Sequence, residues 1–158
     1  MTWSKIEFRT KTASLESINW HLRKCVDCFN PFLSINVDLE EYSKKIFNNA
    51  ITFEAWHGLE LVGLIAAYFN NLETRLGYIT HVGVLEEYQR AGVASELLMK
   101  TKSYGKDNGF TRIDLEVRTN NPEAIKLYKK HGFIIAEQNN TSLKMAFNLS
   151  ANSSGKNN

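Results

Sequence analysis

Gln89-Arg90-Ala91-Gly92-Val93-Ala94 stands where an alternating apolar strand over residues 77–85 gives way to an amphipathic helix carrying Val93, Leu97, Leu98 and Thr101. This junction reads as a cradle for a pyrophosphate. Backbone N–H groups at a helix start have no intrahelical partners and lie at the positive end of the helix dipole, so successive amides there hold a polyanion without a lysine. Gly92 lets the chain pass close to the phosphates, Ala91 and Ala94 keep the approach clear, and Ser95 puts a hydroxyl in the first turn. A packing glycine in an ordinary strand-to-helix turn explains the segment equally well when it is taken alone.

Further on comes Leu115-Glu116-Val117-Arg118-Thr119-Asn120-Asn121-Pro122-Glu123-Ala124-Ile125-Lys126-Leu127-Tyr128-Lys129-Lys130-His131-Gly132-Phe133: a strand, a polar turn, a short helix and a glycine stop. The two segments together resemble the GNAT superfamily of acyl-CoA-dependent N-acyltransferases. Its pyrophosphate loop has Gln or Arg, two residues, Gly, one residue, then Gly or Ala, which Gln89, Gly92 and Ala94 match. Its later signature has Asn, two residues, Ala, three residues, Tyr and then Gly-Phe, which Asn121, Ala124, Tyr128, Gly132 and Phe133 match in order. The resemblance is specific over residues 77–133 and only coarse over the first seventy.

The resemblance implies an α/β (α+β) GNAT fold: a central mixed, mostly antiparallel sheet with a splayed parallel strand pair, flanked by about four helices. Residues 77–85 and 112–118 would be the splayed strands. The implied cofactor is acetyl-CoA (coenzyme A). Its pantetheine arm would pair with backbone at Val82 and Val84, where Gly83 suits a bulge. Its pyrophosphate would meet Gln89, Arg90, Ala91, Gly92, Val93, Ala94 and Ser95, and Asn121, Ala124 and Tyr128 complete the cofactor-binding set. Arg90, Lys100 and Lys102 are candidates for a basic rim; each is equally readable as a solvated helix-face charge.

A length of 158 residues suits one domain over residues 1–149, with a polar tail at 150–158 that reads as disordered. Hydrophobic content of 43% with 23% charged residues is ordinary for a soluble protein, and no stretch is apolar enough to span a membrane. The start Met1-Thr2-Trp3-Ser4-Lys5-Ile6 lacks a signal-peptide core, so a cytoplasmic location is expected. The formal charge of +2 is scattered along the chain, which gives no reason to expect nucleic acid as a partner. A monomer or homodimer with an amine acceptor is expected instead.

Cys25 and Cys28 make a CxxC. A structural zinc site needs four ligands and no second cysteine pair is present, while a redox motif should open a helix directly after a strand. These cysteines fall late in a helical pattern of Leu15, Ile18, Leu22, Val26 and Phe29, so two small buried thiols and no metal are expected. Elsewhere, periodicity gives a strand over 6–9 and Ser14 as an N-cap. Asp38 to Glu41 has capping-box spacing, and a hairpin turns at His57-Gly58. The long helix runs from Ala91 to near Gly109 with Gly105 unexplained inside it; a strand over 112–118, a helix over 122–130 and strands over 133–137 and 143–149 follow.

Acyl transfer from a thioester to an amine needs a neutral nitrogen, a fixed carbonyl, oxyanion donors and a proton for the departing thiolate. Tyr128 occupies the position that serves as general acid in the family; filling core space is its plainer role. Glu116 is the first choice of base, because the run from Leu115 to Tyr128 resembles the ribosomal-protein N-terminal alanine acetyltransferases; a solvated strand glutamate is the alternative. Tyr78 and Thr80 hold positions where other members order a water. His81 has a suitable pKa but would face the opposite side unless a bulge at Gly83 redirects it. For the acceptor, Tyr78, Glu116 and the aromatic loop residues Phe29 and Phe32 are the candidate contacts. A small-molecule amine such as an amino sugar or polyamine is preferred slightly over a protein N-terminus, with a non-catalytic acyl-CoA sensor as a third reading.

Overall fold

Period-two and period-3.6 apolar patterns alternate along the chain, and each folds into the element its period dictates. The computed structural model describes residues 5–25 and 38–150. Its elements are β1 (Ile6–Thr10), α1 (Leu15–Lys24), α2 (Leu39–Asn49), β2 (Ile51–His57), β3 (Glu60–Tyr68), β4 (Leu76–Val84), α3 (Val93–Asp107), β5 (Arg112–Arg118), α4 (Pro122–Lys130), β6 (Ile134–Gln138) and β7 (Ser142–Asn148). A short 3₁₀ turn, Glu86–Tyr88, joins β4 to the α3 loop. The helix starts are fastened as the sequence suggests. Ser14 Oγ accepts from the Ser17 amide at 3.1 Å, Asp38 Oδ1 from those of Glu40 and Glu41 at 3.0 and 3.3 Å, and Asn121 Oδ1 from that of Ala124 at 3.3 Å.

The strands form one seven-stranded sheet in the order β1-β2-β3-β4-β5-β7-β6. The β4–β5 pair is parallel and the other neighbours are antiparallel. With four helices among the described residues, this is the expected mixed α/β architecture. Ile18, Leu22 and Ile46 of α1 and α2 pack on one face against Trp56, Leu61 and Leu64. Leu97, Leu98, Ala124 and Tyr128 of α3 and α4 pack on the other against Phe53, Val62, Ile65, Leu115 and Val117. β2 and β3 are therefore buried on both sides, which is why residues 61–69 read as a continuous apolar run. Gly105 is explained by space: a Cβ there would lie 3.0 Å from Leu149, 3.2 Å from Phe69 and 3.3 Å from Ile113 side-chain atoms.

The bulge in β4 is at Thr80, not at Gly83. Ala66 pairs with His81 and Ala67 with Ile79, leaving Thr80 as the extra residue, whereas Gly83 pairs regularly with Leu64. Thr80 and His81 consequently both turn toward the α1/α2 face. Among the described residues no helix is long and apolar enough to cross a membrane. The expected continuation of α1 through Val26 and Phe29, and the tail beyond Ser150, lie outside the described residues.

Glu54 is a fully buried carboxylate in mid-strand. It accepts from the amides of Thr12 and Ala13 at 2.9 and 3.0 Å, Thr52 Oγ1 at 2.6 Å and Trp56 Nε1 at 3.0 Å, so it ties the β1–α1 junction to β2. Burial pushes its pKa up, but hydrogen bonds from Thr12, Thr52 and Trp56 outweigh burial and hold it below the ordinary value. A depressed folded-state pKa contributes stability above the unfolded pKa and loses it as pH falls through the folded one. Urea midpoints are expected to drop between pH 7 and about pH 3. Glu54→Gln should cost about 3 kcal/mol at pH 7 and flatten that pH dependence, since its amide faces donors and cannot titrate.

Candidate active site

The sheet opens where β4 and β5 part. Their pairing runs from Leu76 with Arg112 to Ile79 with Leu115 and then stops, so the second half of β4 presents an edge to the gap. The Leu85 amide donates to Val62 O at 2.8 Å, toward β3. By the alternation of a strand, Val84 and Val82 turn their N–H and C=O to the other edge, into the gap. These are the backbone groups expected to meet an extended arm. The Val84 carbonyl already accepts from Gln89 Nε2 at 2.9 Å, so the Gln89 side chain, at the wall of the α3 cleft, ties the loop back to β4.

Gly92 is the N-cap of α3 with φ 83°, and Arg90 also has a positive φ of 64°. A side chain at Gly92 would be strained, and the left-handed turn aims the helix start outward. The first α3 bond runs from the Glu96 amide to Gly92 O at 3.0 Å, so helix geometry leaves the amides of Val93, Ala94 and Ser95 without intrahelical acceptors. They open on a cleft of about 300 Å³ lined also by Tyr88, Arg90, Leu127 and Lys130. Ser95 Oγ lies 2.9 Å from His131 Nε2; with the ring N–H donating, the hydroxyl proton is left for an anion. Burial, then the nearby Lys102 and Lys130 charges, hold the His131 pKa below its usual value.

The basic rim differs from expectation. Lys102 Nζ donates to His131 O at 2.9 Å and lies over the Phe147 ring, and Lys100 pairs with Glu96 at 3.5 Å. Both are helix-packing cations. Lys130, at the end of α4, lines the cleft with Arg90 instead. The Arg90–Glu123 pair, 3.7 Å apart and mostly exposed, is weak enough to yield Arg90 to a phosphate.

The two faces of the sheet beside the gap carry different side chains. Tyr128 belongs to the α3/α4 face with Ala124, is 5% exposed, and stacks obliquely on Phe133 with centroids 5.9 Å apart. Burial pushes its phenol up, so it holds its proton throughout the physiological range. Glu116 alternates with the buried Leu115 and Val117 and is therefore exposed on the opposite face, where Ser142 Oγ donates to its Oε2 at 2.8 Å. Tyr78 lies beside it: burial, then the charges of Glu116 and Asp114, push its phenol up.

Residues 15–133 match the model of the acetyltransferase (GNAT) family. The chain belongs to the GNAT family. Among its relatives is an N-alpha-acetyltransferase of Sulfolobus acidocaldarius, 28% identical over 146 residues, 82% of this chain and 81% of that one. Another, from Saccharolobus solfataricus, is 45% identical over 60 residues, 37% of this chain and 36% of that one. The probable N-acetyltransferase san of Drosophila melanogaster is 34% identical over 85 residues, and this chain spans 46% of its length. Several GNAT relatives are thus matched over less than half their length. The ribosomal-protein-S18-alanine N-acetyltransferase of Escherichia coli has a similar structure, with a TM-score of 0.75 at 17% identity covering 91% of this chain and 94% of that one. An N-acetyltransferase from Thermoplasma acidophilum, solved with coenzyme A, has a TM-score of 0.72 at 17% identity and covers 90% and 98%.

The GNAT chain brings some expected residues together and separates others. Gly92, Arg90, Val93, Ala94 and Ser95 line one cleft with Val84. Asn121 caps α4 and Ala124 is fully buried beneath it, so both set the position of Tyr128. Thr80 is engaged: Tyr42 Oη lies 2.7 Å from both its carbonyl and its Oγ1, so the Thr80 hydroxyl proton is used in holding α2. His81 is 1% exposed with its Nε2 3.0 Å from His21 Nε2, buried away from solvent, so it is withdrawn as a base. Phe29 and Phe32 lie outside the described residues. Tyr42, Lys130 and His131 were missed. Lys130 carried a usable signal, a cation at the C-terminal end of the helix bearing Tyr128, whereas the partners of Tyr42 and His131 are 38 and 36 residues away.

Proposed function

We propose that this GNAT chain transfers an acetyl group to the α-amine of a peptide or protein N-terminus by direct attack in a ternary complex. The observation that supports the reading is a divided arrangement: a cleft at the start of α3, Tyr128 packed in the core on the α3/α4 face of the sheet, and Glu116 exposed on the other face. Acetyl-CoA supplies the acyl group as a thioester. The amides of Val93, Ala94 and Ser95, with Arg90 and Lys130, hold its pyrophosphate, and backbone at Val82 and Val84 directs the arm into the gap. Tyr128 donates to the departing sulfur from the α3/α4 side. The amine enters opposite, beside Tyr78, and Glu116 takes its proton directly or through water.

The N-terminal acceptor is supported by relatives named N-alpha-acetyltransferases, one of them aligned over 82% of this chain and so well beyond the motif region. Physical chemistry agrees. An α-amine with a pKa of about 8 is appreciably neutral at pH 7, whereas an alkyl amine near 10.4 is not, so a carboxylate or a relayed water is base enough for the former. This moves the preference away from the small-molecule amine. The test is kcat/KM over a panel of lysine-free peptides with different first residues, polyamines and amino sugars. Peptides should lead by tenfold or more; a leading polyamine restores the small-molecule reading, and no turnover with any acceptor favours the sensor.

Glu116→Gln should lower kcat/KM at least tenfold and weaken the rising limb of its pH profile, because the amide keeps the shape and takes no proton. Tyr78→Phe serves as a neighbour control. An unchanged profile for Glu116→Gln leaves the amine's own ionisation as the source of the limb.

A further inference from the structure

We propose that His21, Cys25 and His81 form a zinc site when Cys25 is in its thiol state. All three are buried, and one ligand atom from each lies within 4.8 Å of the others. His21 and Cys25 are four residues apart on one side of α1 and its C-cap, while the Thr80 bulge turns His81 of β4 to meet them. The expectation of no metal rested on the lack of a second cysteine pair; two histidines stand there instead.

Three ligand atoms within 4.8 Å of one another can close around a metal ion, with the Cys25 sulfur moving inward by up to about 1 Å. His21 Nε2 and His81 Nε2 are 3.0 Å apart. Zinc holds nitrogen at about 2.0–2.1 Å and thiolate at about 2.3 Å, which puts neighbouring ligand atoms about 3.3–3.6 Å apart, so the pair need open only a few tenths of an ångström. His21 Nδ1 lies 2.9 Å from Leu61 O; that ring N–H donates to the carbonyl and leaves Nε2 with its lone pair toward the cluster. His81 Nδ1 has no hydrogen-bond partner among the described residues, so this ring is held only through its Nε2. Gly83 keeps the backbone clear: a Cβ there would lie 2.6 Å from Cys25 Sγ and 2.8 Å from His81 Nε2.

Cys25 is disulfide-bonded in this structure, which corrects the expectation of buried thiols there. Metal entry therefore follows a two-electron reduction. A dithiol gives two electrons and two protons, the protein disulfide becomes two thiols, and the dithiol becomes a cyclic disulfide. Zinc then replaces the Cys25 thiol proton, which leaves to solvent, and accepts the two Nε2 lone pairs. The occupied site ties the end of α1 to β4 beside Val82 and Val84, so it steadies the strand edge that faces the gap.

The test uses the whole chain, purified with a phosphine reductant or left oxidised, and titrated with Co²⁺ as a coloured substitute for Zn²⁺. The reduced protein should take up about one equivalent with a thiolate-to-cobalt charge-transfer band, Zn²⁺ should displace it, and the oxidised protein should show no band. Cys25→Ser should lose the band, and Zn²⁺ should raise the Tm of the reduced wild type only. The comparison of reduced with oxidised wild type decides the matter even where the variant fails to fold. Absence of the band in reduced protein, or its survival in Cys25→Ser, would leave a neutral His21–His81 hydrogen bond and overturn the site.

Discussion

Tyr128→Phe is expected to lower kcat about a hundredfold while leaving acetyl-CoA affinity almost unchanged. The ring fills the α3/α4 core against Phe133 and beside Ala124, and phenylalanine keeps that packing, so the loss isolates the hydroxyl. The raised phenol pKa makes full proton transfer to a thiolate uphill, which limits the effect to what a strong hydrogen bond to the developing charge contributes, about 2.7 kcal/mol for two orders of magnitude. Pre-steady-state acetyl transfer, where chemistry is observed directly, is the measurement. A chemical step within threefold of wild type would return Tyr128 to the role of a core residue.

Gly92→Asp should weaken acetyl-CoA binding at least tenfold, about 1.4 kcal/mol or more. Two causes combine. The φ of 83° strains any side chain, and a carboxylate at the N-cap of α3 stands beside the three open amides in competition with the pyrophosphate. Gly92→Ala separates them, since it carries the strain without the charge. Calorimetry should therefore rank affinity as glycine, then alanine, then aspartate. A folded Gly92→Asp protein with wild-type affinity would remove the cradle from the site.

What the sequence could reveal depended on whether the deciding contact was local. β5 and α4 coincide with their expected ranges, Arg112–Arg118 and Pro122–Lys130, because a proline, an asparagine cap and Gly132 mark the α4 boundaries within one stretch of chain. The start of α3 moved from Ala91 to Val93 since Gly92 takes a left-handed conformation and stays outside the helix. The β4 bulge was misplaced for a different reason. A bulge is a mismatch between two strands, and neither the alternation of β4 nor its glycine discloses which residue β3 leaves unpaired. The side that His81 faces was misplaced with it. Its partner His21 is 60 residues away on another element, so no spacing within either segment announces the pair. Gln89 matched its motif position, yet its side chain turned out to hold Val84 O, a direction that residue type alone does not specify.

The proposed seat of acetyl-CoA is the cleft at the start of α3, continuing along the open edge of β4. Amide NMR of the ¹⁵N-labelled full chain, titrated with coenzyme A and then acetyl-CoA, tests it residue by residue. The largest shifts are expected at Arg90 to Ser95 and at Val82 and Val84, with Lys130 next and the amides of β1 unmoved. Saturating shifts centred elsewhere, with the amides of Val93, Ala94 and Ser95 unperturbed, would contradict it.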